Sequence, residues 1–188
     1  MPAGSDVEIC NIALAALGEA PLSSLEETTD VARLVRARYD MVRDAVLRAH
    51  PWNFAIARAL LPALAEAPAF GFAMAFALPV DCLRVLEAGA PPAAWRVEGR
   101  RVLTDQGAPL ALLYIRRATE TGLYDPLFVE ALAARLGADL ALRITENTSR
   151  ASALWELYQA KLREARSADG REGTSDSLPS GSWLEARY

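Results

Sequence analysis

Residues 31–52 read VARLVRARYDMVRDAVLRAHPW. Val31, Val35, Tyr39, Val42, Val46 and Ala49 recur at intervals of three and four, the period of one helix face. Arg33, Arg36, Arg43 and Arg48 lie mostly off that face. The polar, acidic stretch 24–30 leads into the helix, and Pro51 ends or kinks it, because the residue before a proline is pushed out of the α region. A helix with one apolar stripe must bury it against something else.

Partners for that stripe are written on both sides. Upstream, Ser5-Asp6-Val7-Glu8 fits a capping box. Val7, Cys10, Leu14 and Leu17 follow at helical spacing, and Gly18 and Pro21 stop the run. Downstream, Asp125-Pro126 supplies an N-cap with proline at the first helical position. Phe128, Leu132, Leu136 and Leu140 then form a ladder four residues apart. Asn147, Thr148 or Ser149 caps a fourth helix, whose apolar face is Ala151, Leu154, Tyr158, Leu162 and Ala165. The predicted fold is mainly α: a four-helix core with a small antiparallel β insertion and an extended C-terminal tail.

The insertion is read where the helical period fades. Cys82–Leu86, Trp95–Val97, Arg101–Thr104 and Leu110–Arg116 read as short strands. Turn signals at 89–92, 98–99 and 105–107 separate them, giving a sheet of three or four strands. The chain thus divides into an N-terminal helical pair (1–58), an apolar proline-broken segment (59–81), the β insertion (82–122), a C-terminal helical pair completing the core (123–168), and a flexible tail (169–188). The uncharged run 67–80 is too short to span a bilayer and contains Pro68 and Pro79. It predicts a buried extended segment, or a strip covered by a neighbouring subunit, and no membrane span. The first ten residues carry no secretory signal.

Composition narrows the function classes. The 188 residues are 52% hydrophobic and 23% charged, too apolar for a disordered chain. Two cysteines exclude a disulfide scaffold, and with one histidine they exclude an ordinary zinc site. The net charge of −4 argues against a protein that coats nucleic acid. All basic residues but Lys161 are arginine; with abundant alanine, that is the mark of a GC-rich coding sequence.

No phosphate-binding glycine loop and no nucleophile elbow is present. Cys10 sits on an apolar stripe and Cys82 opens a strand, so both read as core thiols. His50 closes a helix, where a cation suits the dipole. Glu26, Glu27 and Asp30 gather at a helix N-terminus, where negative charge is stabilising in any case. The doublets Arg100-Arg101 and Arg116-Arg117 offer contacts to phosphate or to a partner, but alternation turns one of each pair to solvent. No catalytic, cofactor-binding or metal-ligating residue is assigned, and the chain is expected not to be an enzyme. The tail is different material: after the polar run 167–181 come Trp183, Leu184, Arg187 and Tyr188. Trp, Tyr and Arg favour interface hot spots, which suggests an anchor; the alternative is a tail folded back on its own domain.

Local words carry a resemblance. Ile9-Cys10-Asn11-Ile12-Ala13-Leu14, then Leu17-Gly18 and Pro21-Leu22-Ser23-Ser24-Leu25, open the chain. Tyr39-Asp40-Met41-Val42-Arg43-Asp44 and Leu47-Arg48-Ala49-His50-Pro51-Trp52-Asn53-Phe54-Ala55 follow. Leu78–Val85 and the helix ending Leu157–Arg166 complete the set. In this order they resemble the head-to-tail adaptors of short-tailed bacteriophages, also called tail tubular protein A, over residues 5 to about 168.

The resemblance implies a virion structural protein, located at the portal vertex and made in the host cytoplasm. It implies a homo-oligomeric ring, commonly of twelve copies, between the portal protein and the tail nozzle protein. Double-stranded DNA would pass through its lumen without specific binding, which an acidic chain suits. No cofactor is implied. The extension that climbs onto the portal would here be the tail, with Trp183, Leu184, Arg187 and Tyr188 as its docking residues. The alternative function is a tail-associated cell-wall or glycan hydrolase, which needs two carboxylates across a cleft; no such pair stands out.

Overall fold

The structure is a computed structural model and describes residues 4–172. Four helices form: α1 (Asp6–Leu17), α2 (Asp30–Arg48), α3 (Pro126–Thr145) and α4 (Thr148–Asp169). Their ends follow from side chains able to satisfy orphan backbone groups. The Ser5 hydroxyl accepts from the Glu8 N–H, and the Glu8 carboxylate accepts from the Ser5 N–H at 2.7 Å. Gly18, at φ 80°, closes α1 in the left-handed region that glycine enters without strain. Thr29, Asp125 and Asn147 cap the other three helices. The capping signal for α2 is thus five residues beyond the start of the polar stretch that leads into it.

The helical core is centred on aromatic rings. Trp52 is fully buried and meets Phe128 edge-on at 5.1 Å, with Phe54 and Tyr124 packed on the same ring at 5.0 and 4.9 Å. The Trp52 indole N–H donates to the Val46 carbonyl at 3.0 Å, and the Tyr124 hydroxyl donates to the Ala118 carbonyl at 2.7 Å. Both polar handles are therefore satisfied inside the core. Where α1 crosses α3, the backbone of Ala13 lies over Gly137, with room for little more than a methyl group. An ion network ties the helices to the rest. Arg43 is nearly buried and donates to Asp40 and Asp44, and Arg117 donates to Asp44 at 2.6 Å.

Six strands form two antiparallel sheets. The first contains β1 (Ile56–Leu61), β3 (Cys82–Ala88) and β6 (Leu110–Arg116) in the order β1-β6-β3. The second contains β2 (Met74–Ala77), β4 (Trp95–Glu98) and β5 (Arg101–Thr104) in the order β2-β5-β4. Alternation along β6 divides its duties. Ile115 joins the helical core, whereas Leu110, Leu112 and Tyr114 meet Phe76 and Val102 of the second sheet in a separate small core. The first sheet therefore lies between the helices and the second sheet.

The expected fold class is corrected by these strands. The molecule is not mainly α with a small β insertion; it is a mixed α and β fold with two three-stranded sheets. The physical reason is that β2 comes from the segment expected to be only an apolar strip (59–81), and β1 straddles its boundary with the expected helical pair (1–58). Ile56–Leu61 has no polar alternation, and its pairing partner β6 lies some fifty residues on, so neither period nor proximity announced it. The strip itself is divided: Leu61, Ala75 and Phe76 are buried, whereas Leu60, Phe70 and Val80 are 69, 88 and 89% exposed.

Candidate functional site

The docking residues named from sequence, Trp183, Leu184, Arg187 and Tyr188, lie outside the described residues. The root from which that segment departs is described, and it is closely held. Asp169, the last residue of α4, accepts the Asn53 N–H at 3.0 Å through Oδ1. Its Oδ2 lies 3.0 Å from Nε2 of His50, and its backbone carbonyl accepts the Asn53 side-chain amide at 2.9 Å. One turn earlier, Arg166 donates to the Ala49 carbonyl at 2.8 Å. The word Ala49-His50-Pro51-Trp52-Asn53 thus has two tasks. Trp52 fills the helical core, and its neighbours grip the end of α4.

Apolar surface remains open on both halves among the described residues. On the helices, Ile12 of α1 and Leu157 of α4 line a shallow groove of about 160 Å³ beside Ala16 and Ala133. Trp155 is adjacent on α4, 44% exposed, and the Arg135 guanidinium lies over its ring at 4.7 Å. On the first sheet, Arg58, Leu60, Glu87, Ala111 and Leu113 line a groove of about 370 Å³. On the second sheet, a wider concavity of about 760 Å³ lies between its outer face and the loop carrying Phe70 and Phe72. Its charged rim is Arg96, Glu98, Arg100 and Arg101. β4 is exposed along its whole length.

No protein-family model matches the chain, and no curated protein matches it in sequence. The chemistry therefore rests on the residues themselves.

The candidate reactive groups separate from one another. Cys10 is buried in the helical core, where burial, then the Asp6 charge, pushes its thiol up to about 12. Cys82 is buried in the β core, and burial pushes its thiol up against the opposing pull of Arg100 and Arg48. His50 is engaged with Asp169. Of the acidic cluster, Glu27 accepts the Ser23 and Ser24 N–H groups, Glu26 meets Arg36, and Asp30 meets Arg33; these contacts knit the loop into α2. Among the described residues, no group of three or more His, Cys, Asp or Glu side chains is arranged to hold a metal ion, and no helix is long and apolar enough to cross a membrane.

The arginine doublets also separate. Arg116 pairs with Glu120 at 3.1 Å and Arg117 with Asp44, so both members of that pair are structural. Arg100 spends its donors on the carbonyls of Pro79, Val80 and Cys82, while Arg101 stands exposed on β5. The grip on Asp169 was not legible in the sequence, because its two sides lie 116 residues or more apart. The asparagine and histidine around Pro51-Trp52 were the only local signal.

Proposed function

We propose that this chain is a structural connector subunit: a head-to-tail adaptor that forms a ring between a phage portal and the tail nozzle and extends the DNA channel. The observation that carries this reading is the pairing of two open apolar surfaces on different halves of the molecule with a firmly held tail root. A subunit in a closed ring needs a lateral, heterologous contact and a separate axial one. The groove at Ile12 and Leu157 on the helices and the groove at Leu60 and Leu113 on the first sheet are suited to two such contacts. The grip of His50 and Asn53 on Asp169 fixes where the remaining segment leaves the body, so the anchor would reach a partner from a defined point. The sequence resemblance supplies the identity of the partners. An acidic chain suits a conduit that DNA passes without adhering.

The test is the mass of the purified 20.3 kDa chain in solution, with and without portal protein. The expected result is assembly on the portal into a complex containing many copies. Deleting residues 181–188 should leave the subunit folded, by circular dichroism, and weaken that assembly. A chain that stays monomeric and unbound in the presence of portal contradicts the reading.

A further inference from the structure

Arg48, Arg84 and Arg100 come from three different elements and line one pocket. Arg48 ends α2, Arg84 lies on β3, and Arg100 sits in the turn between β4 and β5. The pocket has a volume of about 280 Å³ and is completed by Trp95 and Val97 of β4 and by Cys82. A chain with more acidic than basic residues has carboxylates to spare, and several arginines elsewhere in it, such as Arg38, Arg116 and Arg117, use them. These three do not. Among the described residues, none of them pairs with a carboxylate.

Among the described residues, their hydrogen-bond partners are all backbone carbonyls. Arg48 donates to the Leu83 carbonyl and Arg84 donates to the Arg48 carbonyl at 3.1 Å. Arg100 donates to the carbonyls of Cys82, at 3.3 Å, Val80, at 3.2 Å, and Pro79. Carbonyl bonds hold a guanidinium in place and leave its charge uncancelled. Each guanidinium has five N–H donors, so Arg48 and Arg84 keep most of theirs free. Asp81, next to Cys82 in the chain, is bonded instead by the Tyr114 hydroxyl at 3.3 Å. The Cys82 thiol lies within reach of these charges: burial raises it, Arg100 pulls it down, Asp81 raises it, and Arg48 pulls it down.

We infer that the pocket among Arg48, Arg84 and Arg100 is a phosphate-binding site. Three positioned, unneutralised guanidiniums in a concavity suit a tetrahedral oxyanion: Arg48 and Arg84 each keep a fork free to meet two oxygens, Arg100 keeps single N–H donors, and all three stay charged at any ordinary pH. Trp95 and Val97 of β4 supply apolar walls beside the charges. The phosphate has two possible sources: a free anion, or the backbone of a nucleic acid lying across the β4–β5 turn. Backbone contact needs no net positive charge on the whole chain, only a local one. The inference does not depend on the connector reading.

The experiment titrates the full chain with inorganic phosphate by calorimetry at constant ionic strength, and follows the arginine Nε–H signals by NMR. Saturable binding is expected, with shifts confined to Arg48, Arg84 and Arg100. Arg100→Gln and Arg84→Gln keep an amide donor for the carbonyls and remove the charge; each should weaken binding about tenfold or more. Arg58→Gln, in the groove of the first sheet, should leave it unchanged. A second arm replaces phosphate with a short DNA duplex. Phosphate binding alone assigns a free anion, and duplex binding lost in the same variants assigns backbone phosphate. If a variant fails to fold, the shifts in the wild-type chain decide. No saturable binding of either ligand, or binding equal in folded Arg84→Gln and Arg100→Gln, overturns the site.

Discussion

The helical half and the β half differ in how much hydrophobic side chain they bury. Around Trp52 and Phe128 the helices bury aromatic rings completely and satisfy the polar atoms that go in with them. The β half buries few large side chains, chiefly Phe76 and the leucines of β6, and leaves Leu60, Phe70, Val80 and Val97 exposed. The helical half builds a large core centred on aromatic rings and still leaves Ile12, Met41, Leu142, Trp155 and Leu157 exposed. The β half builds only a small core, and it carries Arg84 and Arg100 of the three unneutralised arginines. Stability should accordingly reside mainly in the helical half, while both halves offer surface for recognition.

The strongest attempt to break this contrast exchanges one phenylalanine from each half for alanine. Phe128→Ala should destabilise the protein by about 3–5 kcal/mol, the range for emptying a packed aromatic site. Phe70→Ala should stay within about 0.5 kcal/mol, as surface changes do. Urea denaturation of the two variants checks this, and equal losses would dissolve the distinction.

Next comes the ion network that braces the helices against the end of β6. Asp44→Asn removes the negative charge and one of the two acceptor oxygens that serve the nearly buried Arg43 and Arg117. The expected loss is about 1.5–3 kcal/mol, from the value of hydrogen bonds to charged groups. A midpoint unchanged in urea would show that the two halves are coupled by packing alone.

Alkali gives a third comparison. Cys10 and Tyr124 both lie in the helical core, and burial is the first cause that pushes each up to about 12, from 9.0 and 10.0. A group raised on folding adds stability below its unfolded pKa and loses it as pH climbs towards the folded one. Stability should therefore hold to about pH 9 and fall between 9 and 12. Cys10→Ala should flatten the lower part of that fall. A thermal melting series across this window, with no decline, would show that the helical core is more open to water than its burial implies.

The smallest effect sharpens the picture at the tail root. Asp169→Ala removes one hydrogen bond to the Asn53 backbone and the contact with His50, for about 1 kcal/mol of stability. Assembly with portal should suffer more than that small loss explains, because the segment beyond would leave from a loosened helix end.

What was legible in the sequence follows the same division. The four helices were readable because caps and stripes are local: Ser5 with Glu8, Asp125 with Pro126, and the ladder from Val31 to Ala49 all act within a few residues. The β4–β5 hairpin was readable for the same reason. β1 and β2 were not, since Ile56–Leu61 is apolar but for Arg58, Met74–Ala77 is apolar throughout, and both find their partners far along the chain. Hydropathy merged them into one strip with a single fate. The pocket of Arg48, Arg84 and Arg100 was hidden likewise: only half of the Arg100-Arg101 doublet pointed towards it, and folding supplied the other two.

The most direct test of the connector account is electron microscopy of the portal vertex in virions that carry this chain. The account predicts a closed ring of copies coaxial with the portal, with residues 173–188 directed at the portal and the DNA channel running through the ring. A portal vertex without this chain, or the chain found only elsewhere in the particle, would contradict it.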